Sequence, residues 1–281
     1  MFPDSQSSDY SGWAKLAQDA YQRNQDADFF VNMGDLVDNG EDSSQWNAWF
    51  DAVEPLATRM PLVALMGNHD TYDLNWKIRK PLAYLELFDQ PMNGDDQYTD
   101  QYFSFDYGNV HFVVLDTQFQ EEKENNYEPN LIFDEICWLE YDLEHSHAKW
   151  NVVLMHKDPL QYANIKNPDI TPGFNNIGKA FMPIFDKFHV DVVLSAHYHT
   201  YRRHGHIKNF GKNIDKPLYI ITGVAGDVRY PNLWIPNPID DFVAPQPETD
   251  NYLVMDKQGN TITIKAFNPD GTVMDESVLQ K

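Results

Sequence analysis

Short apolar runs alternate along the chain with segments whose apolar residues recur at helical spacing. Residues 10–21 carry Trp13, Leu16, Ala17, Ala20 and Tyr21 on one face, which predicts a helix. Residues 29–33 read as a buried strand that runs straight into Gly34-Asp35. A second helix is predicted over residues 45–56, where Trp46, Trp49 and Phe50 mark a core face. The strand 62–66 leads into Gly67-Asn68-His69-Asp70. Residues 101–106 and 110–116 alternate about Tyr107-Gly108-Asn109, which predicts a hairpin. There follow a helix over 133–144, a strand over 151–155 ending at His156, and a helix over 177–188. The strand 191–195 then enters Ala196-His197-Tyr198-His199. Late strands are read at 218–222, 252–255 and 261–266.

This β-α-β-α order with added hairpins implies an α/β protein. Its sheet would be largely parallel with antiparallel additions, in a single domain spanning residues 1–281. No internal repeat or low-complexity linker divides the chain. Polar residues gather just after the strands, and ligands bind at that carboxyl edge in open α/β sheets.

Composition narrows the partners. The 281 residues hold 43 acidic and 21 basic side chains, a net charge of −22. Such a surface repels nucleic acid and anionic membranes. It also repels phosphate, so a phosphate-handling site needs local positive charge, which bound metals supply. No apolar run approaches the roughly 20 residues that span a bilayer. One cysteine, Cys137, excludes an intrachain disulfide and a thiolate zinc cluster, and it is read as a packed helix residue. One cysteine and no export signal point to the cytoplasm. The abrupt start at Met1-Phe2-Pro3 leaves open upstream residues that include a secretion signal.

Asp35, Asn68, His156, His197 and His199 each follow an apolar strand directly, and Asp4, beside Gln6, is a sixth candidate near the start. Oxygen and imidazole donors without thiolate suit Mn, Fe or Zn. A carboxylate such as Asp35 can bridge two ions, and ions about 3.5–4 Å apart can hold a hydroxide and neutralise a phosphoryl group from both sides. Taken singly each piece is an ordinary turn, cap or structural histidine. Taken together, in order and each at a strand end, they are not.

The segments Gly34-Asp35-Leu36-Val37-Asp38-Asn39-Gly40, Gly67-Asn68-His69-Asp70, His156 and Ala196-His197-Tyr198-His199 resemble the ordered motifs of the calcineurin-like metallophosphoesterases. Three further stretches are similar to the purple acid phosphatase-like branch. They are Thr200-Tyr201-Arg202-Arg203, Phe105-Asp106-Tyr107-Gly108-Asn109-Val110-His111-Phe112, and Trp138-Leu139-Glu140 leading to Trp150. The resemblance implies a four-layer α/β/β/α sandwich of two mixed sheets flanked by helices. It implies that Asp35 bridges two divalent or trivalent ions, with Asn68, His156 and His197 on one and Asp4 and His199 on the other. His69 would then serve the leaving group, seconded by Asp70 if that carboxylate meets its ring.

Three departures stand out. Asp4-Ser5-Gln6 replaces the family's Asp-x-His and follows only three residues, so the first strand reads as truncated. Asp38 stands where true purple acid phosphatases carry a tyrosine, so no tyrosinate colour is expected, and Asp38 is read as a helix cap or outer acceptor. Ala196 replaces a glycine.

Lys166 and Arg203 are candidate substrate contacts beside Asn68 and His69, with Arg203 read more as a brace. His111 is read as core, His145 and His147 as helix-end residues, His189, His204 and His206 as surface, and the Pro- and Asp-rich segment 232–249 as a long loop that serves as a lid or partner surface. The function read is hydrolysis of a small-molecule phosphate ester, a monoester first. A phosphodiesterase or nucleotide pyrophosphatase is the alternative, and a binding or scaffold protein with a degenerate site is the rival from another class. No His-Glu-x-x-His supports a metallopeptidase.

Overall fold

The computed structural model describes residues 1–215 and 217–281. Its helices are α1 (Ser11–Arg23), α2 (Ser43–Ala57), α3 (Leu82–Leu87), α4 (Phe119–Asn125), α5 (Leu131–His145) and α6 (Asn176–Lys187). Its strands are β1 (Phe30–Asn32), β2 (Leu62–Ala64), β3 (Phe103–Tyr107), β4 (Val110–Leu115), β5 (Trp150–Met155), β6 (Leu160–Gln161), β7 (Gly173–Phe174), β8 (Val192–Ser195), β9 (Thr200–Lys208), β10 (Gly211–Asn213), β11 (Leu218–Gly223), β12 (Phe242–Val243), β13 (Tyr252–Gln258), β14 (Thr261–Phe267) and β15 (Val273–Gln280). Among the described residues no helix is long and apolar enough to cross a membrane.

One sheet has the order β10-β9-β11-β8-β5-β4-β3, with β12 beside β9. Its centre is parallel, from β4 through β5 and β8 to β11, while β3 and β9 join antiparallel. Strands buried on both faces must be apolar throughout, and Val152, Val153, Leu154, Val192, Val193 and Leu194 are all buried. The opposing layer holds the parallel pair β1-β2 and the antiparallel meander β13-β14-β15.

The first residues join those two pieces. The Met1 amine donates to Leu253 O at 2.8 Å and Leu253 N–H donates to Met1 O at 3.0 Å. On the other side Phe2 N–H donates to Val31 O at 2.8 Å and Met33 N–H to Phe2 O at 2.9 Å. The strand that reads as truncated is therefore short but paired on both edges, and it delivers Asp4 to the carboxyl edge beside Asp35.

Three apolar layers hold this frame. Between the sheets, Val31, Met33, Val63 and Leu65 pack in one cluster with Phe112, Val114, Leu154, Leu194 and Ile264. Phe112 also stacks on Phe105 with ring centroids 5.0 Å apart, which fixes β3 against β4. α1, α2 and α3 cover the outer face of β1 and β2 through Trp13, Trp49 and Tyr84. α5 and α6 cover the outer face of the large sheet through Leu139, Phe181 and Phe185. The four-layer α/β/β/α sandwich expected from the resemblance is the fold observed. Trp46 and Trp49 are core, as their spacing predicts.

Several sequence readings are corrected. Neither β15 nor α4 is marked by the apolar pattern, because β15 keeps only alternate residues half-covered and α4 is almost wholly polar. Cys137 is exposed rather than packed, since α5 turns Leu131, Glu135, Leu139 and Leu143 inward at steps of four and leaves position 137 outside. His111 is buried as expected, but held by carboxylates, with Asp106 and Asp142 each 2.7 Å from its ring nitrogens.

His204 is wholly buried rather than on the surface, because Tyr162, Asp158 and Asp240 pack against its ring. Its ring lies between Asp240 at 2.7 Å and Asp158 at 3.3 Å, with Arg202 on Asp240 at 2.7 Å and the Tyr162 hydroxyl donating to Asp240 at 2.9 Å. Burial opposes the imidazolium, but the two carboxylates outweigh it and push the His204 pKa up to about 9. A raised folded-state pKa adds stability that is complete below the unfolded value of about 6.5 and is lost as pH rises through about 9. Chemical denaturation across pH 6.5–9 should therefore show stability falling with pH, and His204→Asn should flatten that slope.

Candidate metal centre

Each candidate ligand sits where a strand ends. Asp4 follows the short first segment, Asp35 follows β1, Asn68 follows β2, His156 follows β5, and His197 and His199 lie between β8 and β9. Four of them hold left-handed backbone, with φ of 33° at Asp4, 49° at Asp35, 71° at His197 and 51° at His199. Non-glycine residues adopt that region at a cost, and such strain collects at functional sites. Two glycines make the approach possible. A Cβ at Gly34 would stand 2.5 Å from His156 Nδ1, and one at Gly67 would overlap the Asp35 carboxylate.

The side chains converge as two donor groups that share Asp35. Asp35, His156 and His197 offer atoms all within 4.8 Å of one another, and so do Asp4, Asp35 and His199. His156 Nε2 lies 3.2 Å from Asp35 Oδ2 and 3.3 Å from Asn68 Oδ1, which brings Asn68 to the first group. His199 Nε2 lies 3.9 Å from Asp4 Oδ1. Backbone carbonyls set the rings. Met33 O is 2.9 Å from His156 Nδ1 and Val228 O is 3.0 Å from His199 Nδ1, so each Nε2 faces the shared cavity. Asp4 is held by the His197 N–H at 3.0 Å, and Asp35 by the His69 N–H at 2.8 Å.

Asp4 and Asp35 are 0% and 1% exposed, and among the described residues neither is paired with a lysine or arginine. Burial pushes the Asp4 carboxyl well above its ordinary range. At Asp35 burial acts in the same direction, but the His156 and His69 charges outweigh it and hold the carboxyl low. Burial pushes His197 well down and His199 down to about 4, which leaves both neutral with a lone pair to give. His156 is pushed up to about 9, because Asp35 outweighs the opposing effect of burial.

This donor set fits hard or borderline divalent ions. Buried polar atoms of two side chains support the fit. Among the described residues His197 Nδ1 has no hydrogen-bond partner, and the amide of Gln6, wholly buried, has none at either Oε1 or Nε2. Gln6 is tied to the site by its own N–H, which donates to Asp35 O at 3.0 Å.

His69 lies at the mouth, one residue past Asn68. Its Nδ1 is 2.8 Å from Asp38 O and 3.3 Å from Asp38 Oδ1. Asp38 is thus the outer acceptor expected, while the α2 cap is Asp42. The Asp70 expectation is corrected. Its Oδ2 accepts the Gly67 N–H at 2.8 Å and its Oδ1 the Leu36 N–H at 3.1 Å, so it braces the two ligand loops and does not hold the His69 ring.

Of the two distal candidates, Lys166 is corrected and Arg203 takes the bracing part preferred for it. Lys166 is exposed on the 164–167 turn and lines neither cavity beside the centre. Arg203 is bound to Asp275 at 2.8 Å and braces β9 against β15. Sequence reading missed Lys157, which lines a cavity of about 480 Å³ with Asn68, Tyr72 and His197. Its position directly after His156 was the available signal. It also missed Tyr230, whose ring is 5.0 Å from that of His199 and which lines a second cavity of about 590 Å³. The loop 232–249 supplies Trp234, Pro236 and Pro247 to that cavity.

The profile of the calcineurin-like phosphoesterases matches residues 6–201. The chain belongs to that family, and its relatives place it on the purple acid phosphatase-like branch. It is 27% identical to purple acid phosphatase 23 of Arabidopsis thaliana over 188 residues, 66% of this chain and 38% of that protein. It is also 27% identical to the probable inactive purple acid phosphatase 9 of the same plant, over 82% of this chain and 40% of that one. The chain spans about a third to a half of the length of these curated relatives. Among solved structures, purple acid phosphatase PPD1 from yellow lupin (Lupinus luteus) seeds shares the fold at a TM-score of 0.70 and 16% identity, covering 96% of this chain and 49% of that one. GAP50, the anchor in the inner membrane complex of Plasmodium, shares it at 0.66 and 15%, covering 99% and 88%.

Gly67→Ala would drive a methyl group into the Asp35 carboxylate. Calorimetric titration with Mn²⁺ should show affinity at least about tenfold weaker than wild type.

Proposed function

We propose that the chain hydrolyses phosphate esters at a centre holding two metal ions, with phosphomonoesters the first class and phosphodiesters or nucleotide pyrophosphates the alternative. The observation that carries this reading is the pair of buried donor groups sharing Asp35. Asp35 would lie between the ions, with Asn68, His156 and His197 on one and Asp4 and His199 on the other. Gln6 would add its Oε1 to the second, in place of the family's histidine. Mn, Fe and Zn suit these donors. When bound, the ions supply positive charge for the phosphoryl oxygens and water of lowered pKa.

The chain's own residues do the rest. Asp38 holds His69 at Nδ1, so the Nε2 proton of its imidazolium is the one given to the departing oxygen. In the protein alone burial opposes that charge, but Asp35 and Asp38 outweigh it and push the His69 pKa up to about 9, and bound cations would pull it back down. Asn68 and Lys157 face the space where the phosphoryl group would sit. Residues 1–281 are read as one domain, in keeping with the bonds that tie Met1 to Leu253.

The rival reading is a scaffold with a degenerate site. The short first strand and Gln6 motivate it, and GAP50, an anchor, and the probable inactive purple acid phosphatase 9 accord with it. Elemental analysis of the purified chain should give two ions, and Mn²⁺-loaded protein should cleave a generic aryl phosphate. Fewer than two ions together with no cleavage would favour the scaffold. Asp35→Asn should lower metal content and activity together. His69→Asn should keep the ions while kcat falls by about 10²–10⁴-fold; an unchanged kcat removes His69 from the chemistry.

A further inference from the structure

The loop after His69 presents an aromatic surface that the chemistry above does not use. Trp76 is 55% exposed, although large apolar side chains are ordinarily covered. It also holds φ of 60°, a left-handed conformation costly for a bulky residue and free for glycine. The turn that carries it is tightly organised. Asp73 Oδ1 accepts the Asn75 N–H at 2.7 Å and the Lys77 N–H at 2.8 Å. Asp73 O accepts the Trp76 N–H at 2.8 Å and the Asn39 Nδ2–H at 2.7 Å, which ties the turn to the loop following Asp35.

The indole stands beside the proton donor. Its centroid is 6.4 Å from the His69 ring and 5.8 Å from Tyr72, and Tyr72 is itself edge-on to His69 at 5.2 Å. Tyr230, 39% exposed, stands edge-on to His199 on the side of the second ligand group. An organic group held beside His69 would therefore lie within reach of the Tyr72 and Trp76 rings.

We propose that Trp76, with Tyr72, is a stacking platform for the organic part of the substrate, and that this site favours phosphate esters of aromatic alcohols. The proposal rests on the phosphoester reading above. Aromatic faces attract one another through offset or edge contacts, so a planar leaving group gains binding there that an aliphatic one lacks.

The test compares 1-naphthyl phosphate with glycerol phosphate on Mn²⁺-loaded protein. In Trp76→Ala the KM ratio between the two should rise about three- to tenfold against naphthyl, and Trp76→Phe should recover most of it. Calorimetry with benzylphosphonate and methylphosphonate reads the same preference without turnover. If the wild type hydrolyses neither ester yet prefers benzylphosphonate through Trp76, the platform stands and the hydrolytic reading falls. An equal loss on aromatic and aliphatic ligands, or no loss, overturns the platform.

Discussion

Two aspartates, Asp4 and Asp35, are sealed from water within reach of each other, and no lysine or arginine among the described residues is paired with either. Burying charge without compensation costs several kcal/mol per group. The surrounding structure is organised to tolerate that concentration. Backbone amides of His197 and His69 donate to the carboxylates, and His156 closes on Asp35 at 3.2 Å. The remaining charge is the kind that cations balance, which is why the centre reads as built for ions and not for a purely organic network.

That arrangement depends on the frame around it. Left-handed backbone at Asp4, Asp35, His197 and His199 persists only where neighbours over-determine it. The neighbours here are the strands that end at the centre and the residues that brace its loops. Asp70 ties the loops after β1 and β2 together through the Gly67 and Leu36 amides. The Ser5 hydroxyl accepts from both Asn32 and Trp49 at 2.8 Å, which fixes the residue after Asp4 against the core.

Charge shapes what can reach the centre. The chain carries a net −22, so its surface opposes a phosphate ligand. Lys157 faces the cavity but is already paired with Glu121, and Arg203 is engaged by Asp275. On the proposed function, attraction for a phosphoryl group would come from the ions together with cations of the cavity walls such as Lys179 and Arg229. Aromatic rings also stand beside the ligands, Tyr72 and Trp76 next to His69 and Tyr230 next to His199. On the platform proposed above, recognition there would depend on shape and stacking.

The main alternation of strands and helices, and the positions of Asp35, Asn68, His156, His197 and His199, were legible in the sequence, whereas α3, α4 and β15 were not. Apolar periodicity marks a strand locally, and a polar residue at its end needs no tertiary information to be noticed. Three things were decided only in the folded chain. Pairing on both edges made a three-residue start sufficient to place Asp4. Packing of Tyr162, Asp158 and Asp240 against its ring turned His204 from a surface residue into a buried one held by two carboxylates. The choice of Asp38 over Asp70 as partner of His69 followed from which loop packs beside its ring. Contacts between residues distant in sequence set all three, and a local pattern of hydrophobic and polar positions carries no record of them.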